Sequence, residues 1–151
     1  MRDTRLRDSI PNLVGKLFRH LARIHGRAVK PFEISAVQAN VLSVLWLEGS
    51  MTIGELQSAL ALGSSTLTGA VDRMEKAGLV KRTAVSGDRR AVRLEPVTWP
   101  TKKKEQLIAV LADTEKSCFD SLTAAERREL VRLLGKAIES IARVDDGDGD
   151  D

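Results

Sequence analysis

Cysteine and long apolar runs are scarce in this chain of 151 residues, and each scarcity excludes a class of protein. The single cysteine, Cys118, cannot build a disulfide framework, so we expect a reducing compartment, the cytoplasm. No run reaches the roughly 18 apolar residues that would span a bilayer. The N-terminal sequence MRDTRLRDSIPN lacks the apolar segment of a secretory signal peptide. We therefore expect no membrane partner.

Signatures of catalysis and of metal binding are also missing. The sequence contains no glycine-rich phosphate loop, no HExxH and no GxSxG. His20 and His25 do not share a helix face, and Cys118 is distant in sequence, so a zinc site is not expected. Cys118 lies on an apolar stripe without a nearby second cysteine, which favours a packing thiol over a redox sensor. We predict that the protein is not an enzyme and uses neither metal nor cofactor.

Positive charge is concentrated in one part of the sequence. The chain carries a net charge of +3, yet residues 64–104 alone hold ten Lys or Arg against four Asp or Glu. Residues 145–151, DDGDGDD, are acidic and lack apolar side chains, so we predict a disordered tail there. A basic segment of this kind is typical of nucleic-acid binding, whereas a solvated charged surface is the alternative.

Residues 52–98 predict a helix, a turn, a second helix and a two-stranded hairpin. Thr52 and Glu55 have the spacing of a capping box, which starts the first helix. Gly63 is expected to stop that helix, because glycine adopts the left-handed conformation common at helix ends. This order of elements forms the core of the DNA-binding hypothesis.

The second helix is predicted to begin with a cap at Ser64 or Ser65 and to end at Gly78. Its apolar residues recur at helical spacing on one face: Leu67, Ala70, Val71, Met74 and Ala77. The opposite face is polar and partly basic, and Gly69 leaves room for close approach. Such a face suits a major groove, since hydroxyls bind phosphates and an arginine can read guanine. The candidate DNA contacts here are Ser64, Ser65, Thr66, Thr68, Arg73 and Lys76.

The hairpin is predicted to have strands at residues 79–83 and 91–95, joined by a turn over 84–90. Arg89 and Arg90 lie at or just past its tip. A cationic loop beside a recognition helix can reach a minor groove, whose negative potential attracts arginine. The candidate DNA contacts in the hairpin are Asp88, Arg89 and Arg90, with Asp88 holding an arginine in position.

Strongly amphipathic helices flank this region on both sides. Helices are predicted over residues 9–29 and 35–49, from a start between 98 and 101 to about 122, and from 123 onward. Capping boxes at Ser35 with Gln38 and at Thr123 with Glu126 mark two of the starts. The apolar stripe of the first helix is wide enough to suggest a partner chain as well as the core.

The segment LTGAVDRMEKAGLVKR followed by GDRRAVRLEPVT resembles the winged helix-turn-helix of MarR-type transcriptional regulators. Their signature is a polar recognition helix, then Gly-Leu-Val, then a wing with Asp-x-Arg and a final Leu-x-Leu-Thr-like strand. Here the wing residues are Asp88-Arg89-Arg90, Leu94 and Thr98. The ending Pro96-Val97-Thr98 departs from the pattern by one additional residue. The resemblance extends over residues 11–142 and is most specific in 64–98.

The resemblance implies a mainly α fold with a small β-hairpin wing, in which N- and C-terminal helices dimerise around a winged helix-turn-helix domain. The division is then 1–34, an N-terminal dimerisation helix; 35–98, the DNA-binding region; 99–144, C-terminal dimerisation helices; and 145–151, the acidic tail. Two-fold symmetry agrees with this expectation, because it sets two recognition helices about 34–36 Å apart, one DNA turn.

The function implied is a sequence-specific regulator that binds double-stranded DNA at a palindromic operator as a homodimer. A repressor relieved by a small-molecule effector is expected. The resemblance places the effector pocket between the dimerising helices and the winged domain, where Trp46 and Trp99 are candidate walls or plain core residues. Two other classes remain open: a winged helix used for protein–protein interaction without operator binding, and a small enzyme.

Overall fold

The computed structural model describes the backbone of residues 4–85 and 88–147, and the side chains of residues 6–84 and 92–144. The fold is mainly α-helical with a small antiparallel sheet, as expected. The elements are α1 (Thr4–Arg7), α2 (Ile10–Val29), a 3₁₀ turn (Lys30–Phe32), α3 (Ala36–Glu48), β1 (Met51–Thr52), α4 (Ile53–Leu60), α5 (Ser64–Lys76), β2 (Val80–Val85), β3 (Asp88–Pro96), α6 (Thr101–Cys118) and α7 (Ala124–Gly147).

The predicted capping boxes start their helices in the structure. At α4, the Glu55 amide donates to the Thr52 hydroxyl at 3.1 Å, and the Thr52 amide donates to the Glu55 carboxylate at 2.7 Å. Ser35 and Gln38 exchange the same pair of bonds before α3. Thr123 makes both bonds with Glu126 before α7. Each pair satisfies amides that the first helical turn leaves without a partner.

The connection between α4 and α5 differs from the prediction. Helix α4 ends at Leu60, and Ala61 rather than Gly63 takes the left-handed conformation, with φ of 49°. Gly63 is extended and directly precedes α5, so Ser64 is the first helical residue and no side chain caps this helix. The expected caps at Ser64 and Ser65 are therefore wrong. The earlier end of α4 leaves Gly63 to supply the extended residue before the next helix.

The sheet has three strands in the order β1-β3-β2, all antiparallel. The short strand β1 was not predicted, because two residues show no alternation; Met51 and Thr52 pair with Leu94 and Arg93. Strands β2 and β3 are longer than expected and take up most of the predicted turn over 84–90, with Val85 opposite Asp88. Both strands of the hairpin therefore extend beyond the part of β3 that pairs with β1.

The chain divides into two compact units, residues 1–114 and 115–151. In the first unit, the core is formed by α3, α4, α5, β3 and the start of α6, and its fully buried large side chains include Leu42, Leu45, Leu56, Leu67, Met74, Leu94 and Leu107. Trp99 is buried and packs edge-to-face on Trp46, with ring centroids 5.5 Å apart. This core fixes the orientation of α5 and the sheet.

The second unit consists of the end of α6 and helix α7. The end of α6 at Cys118 is earlier than the predicted 122, and α7 continues through Gly147. Residues 145–147 of the predicted disordered tail are therefore helical, while residues 148–151 lie outside the described residues. None of the described helices combines the length and apolarity needed to cross a membrane.

Candidate nucleic-acid interface

Helix α5 has one buried and one open face. Leu67, Ala70, Val71 and Met74 are buried in the core, as the spacing predicts, whereas Ala77 is exposed. The predicted contact side chains occupy the other face: Ser64, Ser65, Thr66, Arg73 and Lys76 are exposed, and Thr68 is half-buried. A core-anchored helix with such an outer face can enter a groove without losing its own packing.

The N-terminus of α5 is free to bind an anion. Among the described residues no side chain caps this helix, because its N-cap residue is Gly63. Unpaired amides and the positive end of the helix dipole together favour a phosphate. Ser64, Ser65 and Thr66 lie in this first turn, so their hydroxyls add further donors at the same place.

Gly69 has a structural role that the sequence did not reveal. A methyl group at this position would lie 3.5 Å from Nη1 of Arg73, so the arginine side chain extends back over the glycine. That distance is an ordinary van der Waals contact, and alanine would fit without a clash. The glycine therefore keeps a low surface beneath the guanidinium group.

An ion-pair cluster that sequence reasoning missed joins α5 to β2. Nη2 of Arg82 lies 2.7 Å from Oδ1 of Asp72, and Nη1 contacts the Glu75 carboxylate. The hydrogen bond from Arg82 to Asp72 is the main cause that raises the pKa of the arginine. Asp72 is half-buried against this arginine. The alternation of β2 could have indicated this contact, because Arg82 lies on the same face of the strand as the buried Val80.

A second arginine fastens the other hairpin strand to α4. Nε of Arg93 donates to the Ser50 hydroxyl at 3.1 Å, and its Nη2 lies 3.3 Å from the Glu55 carboxylate. The Thr52 backbone amide is the largest cause that lowers the pKa of Glu55, and the charge of Arg93 adds to it. Arg93 therefore acts in the fold rather than at an open surface.

Two further charges, one on each strand, pair with each other. Lys81 and Glu95 face each other across β2 and β3, 2.9 Å apart, and the lysine lowers the pKa of Glu95. Among residues 6–84 and 92–144, no ion pair holds Arg73 or Lys76. These two side chains are the cations that the described surface of α5 offers.

The predicted wing is present as the hairpin of β2 and β3. Asp88, Arg89 and Arg90 are the first residues of β3. Their side chains lie outside the described residues, and so does the predicted role of Asp88. The backbone places this segment on the longer part of the hairpin that β1 does not pair with.

A cavity of about 330 Å³ lies between α3 and α6 in the first unit. Its walls are mostly apolar and are formed by Ser43, Trp46, Leu47, Lys104, Ile108 and Leu111. The Ser43 hydroxyl oxygen is buried and has no hydrogen-bond partner among the described residues. The ammonium of Lys104 lies 5.1 Å from the centre of a Trp46 ring. The described residues contain no group of three or more His, Cys, Asp or Glu side chains that could hold a metal ion.

Comparison with known proteins identifies the same region. A model of the MarR family matches residues 34–92. The chain is 33% identical over 117 residues to YsmB, an uncharacterized HTH-type transcriptional regulator of Bacillus subtilis, covering 75% of this chain and 80% of that protein. It is 31% identical over 125 residues to the HTH-type transcriptional regulator MgrA of Staphylococcus aureus, covering 81% and 82%.

Solved structures agree over nearly the whole length. A mutant of MarR from E. coli in complex with operator DNA superposes with a TM-score of 0.79 at 25% identity, covering 91% of this chain and 99% of that one. Wild-type MarR from E. coli in its apo form gives a TM-score of 0.66 at 26% identity, covering 85% and 96%. The likeness therefore extends beyond the residues that the family model matches.

Proposed function

The chain belongs to the MarR family of DNA-binding transcriptional regulators, and from that premise we propose that it represses transcription from a palindromic operator, which it binds as a homodimer in the cytoplasm. The observation that carries the proposal is the open face of α5. Its hydroxyls and free cations lie outward on a helix whose other face is fully buried. A protein-interaction module needs no such basic face.

In this proposal, α5 enters the major groove. Its first turn binds a phosphate through backbone amides and through the hydroxyls of Ser64, Ser65 and Thr66. Thr68 and Arg73 reach base edges, and Lys76 contacts the backbone. An arginine that reads guanine through two hydrogen bonds contributes about 1–3 kcal/mol of discrimination.

The hairpin carries the second contact. Arg89 and Arg90 enter the flanking minor groove, and Asp88 orients one of them. The supporting observations are the length of β2 and β3 and the anchoring of both strands, by Arg82 to α5 and by Arg93 to α4. An anchored hairpin presents its arginines at a defined distance from the recognition helix, which a minor-groove contact requires.

The homodimer is supported by apolar surface on the flanking helices. In α2, the exposed large side chains are Ile10, Leu13, Val14, Phe18 and Ile24. In α7, they are Val131, Leu133, Leu134, Ile138, Ile141 and Val144. Large exposed apolar patches on a soluble chain mark interaction surfaces. We assign residues 1–34 and 99–144 to dimerisation and 35–98 to DNA binding, so that two copies set the half-site spacing.

The effector site we propose is the cavity between α3 and α6. An apolar cavity with one unpaired hydroxyl, at Ser43, and one cation, at Lys104, has the composition of a small-molecule site. A ligand that binds one conformation better shifts the dimer toward it, and operator affinity falls if that conformation has the wrong spacing of α5 helices.

Selection of duplexes from a random library by the purified protein tests the proposal. We expect enrichment of a palindrome whose half-sites are about one helical turn apart. Enrichment of no sequence would favour the protein-interaction alternative, and enrichment of a single half-site would contradict the dimer. With the selected duplex, Arg90→Ala should weaken binding and reduce its salt dependence, because a phosphate contact is lost. Lys136→Ala, an equal loss of charge on α7, should change neither.

A further inference from the structure

Helix α5 carries no net charge of its own, although it is the recognition element. Its charged residues are Asp72, Arg73, Glu75 and Lys76. Unpaired carboxylates on a helix that enters a groove would repel phosphates and cancel the attraction of the two cations. The helix therefore needs a counter-charge that does not itself compete for the DNA.

Arg82 supplies that charge from outside the helix. Its two terminal nitrogens contact different carboxylates, Asp72 at 2.7 Å and Glu75. The planar guanidinium can make both contacts at once, which the single ammonium of a lysine cannot do with the same directionality. Both acids are paired, and no ion pair with a described residue holds Arg73 or Lys76.

The contribution of this cluster to folding stability is small. The side chains of Arg82, Asp72 and Glu75 are 30%, 48% and 38% exposed, respectively. Ion pairs with that much solvent contact contribute little to stability, because water and salt screen them. The pairs nevertheless connect β2, the first strand of the wing, directly to α5.

We propose that Arg82 is a positioning residue for DNA binding: it neutralises Asp72 and Glu75 and fixes the wing against the recognition helix without contacting DNA. This inference rests on the function proposed above. A basic residue in this region would otherwise be assigned to a phosphate. The two roles differ in one respect, since a positioning role depends on the acids, whereas a phosphate contact does not.

A mutant cycle distinguishes the two roles. Wild type, Arg82→Ala, the pair Asp72→Asn with Glu75→Gln, and the triple variant are titrated against the selected palindromic duplex by fluorescence anisotropy. We expect Arg82→Ala to weaken binding about tenfold or more in the wild-type background, because two unpaired carboxylates on the recognition helix then repel the DNA phosphates. In the acid-free background, the same substitution should change affinity by less than about twofold.

Equal losses in both backgrounds would overturn the inference and make Arg82 a phosphate contact. Failure of wild type to bind any duplex would overturn the proposed function as well, so the two failures are distinguishable. Lys81→Ala is the matched control, because it removes one positive charge from the same strand. The partner of Lys81 is Glu95, which both backgrounds retain. The effect of Lys81→Ala should be identical in both backgrounds. Arg82→Lys keeps the positive charge but has no second terminal nitrogen, so its affinity should lie between those of wild type and Arg82→Ala. A loss as large as that of Arg82→Ala would contradict the proposal that Arg82 acts by neutralising the two acids.

Discussion

The winged region and the flanking helices use the same kinds of apolar residue with opposite outcomes. Leu42, Leu56 and Met74 in the winged region have no solvent exposure, whereas Phe18 on α2 and Ile138 on α7 are 68% and 66% exposed. Each winged helix finds its partners a short distance away in sequence. The flanking stripes are as regular, but their large side chains remain in water. Amphipathic spacing therefore predicts that a helix has an apolar face. It does not predict whether that face packs within the same chain.

The largest expected effect is on the winged core. Leu42→Ala should lower the free energy of unfolding by about 2–5 kcal/mol, because a fully buried leucine leaves a cavity. Urea denaturation at several protein concentrations measures it. Ile138→Ala is the comparison. Its loss of unfolding free energy should grow with protein concentration only if a second copy of the chain packs on α7. Equal, concentration-independent losses would erase the contrast between the regions.

A charge on the α7 stripe should separate the proposed dimer. Ile138→Glu places a carboxylate where we propose an apolar interface, so sedimentation equilibrium should show monomer in place of dimer. Affinity for the palindrome should fall at least about a hundredfold, since the second half-site no longer assists the first. Ala125→Glu adds the same charge to the side of α7 opposite these apolar side chains and should leave the dimer intact. A dimeric Ile138→Glu would move the interface elsewhere.

Removal of the free arginine on α5 should act on DNA alone. Arg73→Ala should cost about 1–3 kcal/mol of operator binding and relax specificity at one position of the half-site. The unfolding midpoint should change little, because the side chain is exposed. Binding is measured with the selected duplex and with single-base variants of it. A uniform loss across all variants would assign Arg73 to a phosphate.

The elements could be predicted from the sequence wherever local chemistry decides them. The Thr52–Glu55 and Thr123–Glu126 boxes and the apolar face of α5 each depend on residues within one or two turns. The predicted DNA-binding family is confirmed by the relatives. Strand β1 and the pairing of Arg82 with Asp72 depend on residues brought together by the fold, so no local pattern reveals them.

The same limit explains the errors. Serine is a favourable N-cap residue, which is why Ser64 and Ser65 were predicted to cap α5. Helix α4 ends at Leu60, before the predicted stop at Gly63, and Gly63 is instead the N-cap residue of α5. The contact roles of the α5 side chains and of Asp88, Arg89 and Arg90 stay predictions until DNA is bound. Their residue types are informative, whereas their orientation on a duplex depends on the dimer.

A methyl group on α5 should separate stability from recognition. Gly69→Ala should stabilise the winged region by roughly 0.5–1 kcal/mol, since alanine is the better helix former and its Cβ meets no clash. If DNA approaches this low surface closely, operator affinity falls at the same time. Thermal unfolding and anisotropy on one sample measure both. Gly135→Ala, which has open space on α7, is the matched control and should raise stability without weakening binding.

The smallest effect concerns one capping motif used in both regions. Glu55 and Glu126 each bond to the amide of a preceding threonine, which lowers the pKa of both carboxyl groups below the ordinary 4.5. A lowered pKa stabilises the folded chain above the unfolded pKa, and this stabilisation is lost as pH falls through the folded value. Glutamine keeps the capping bonds without the charge, so Glu55→Gln and Glu126→Gln should each be less stable than wild type near neutral pH and equal to it near about pH 3.

The loss of stability should differ between Glu55→Gln, in the winged region, and Glu126→Gln, in a flanking helix. Glu55 also lies 3.3 Å from Arg93, whereas Thr123 accounts for the whole lowering of the pKa of Glu126. The neutral-pH loss should therefore be larger for Glu55→Gln, and the excess should disappear in about 1 M salt, where charges are screened within about 3 Å. Urea midpoints at both salt concentrations measure it. No excess at low salt would mean that Arg93 anchors the hairpin through Ser50 alone, by a hydrogen bond rather than by an ion pair with Glu55.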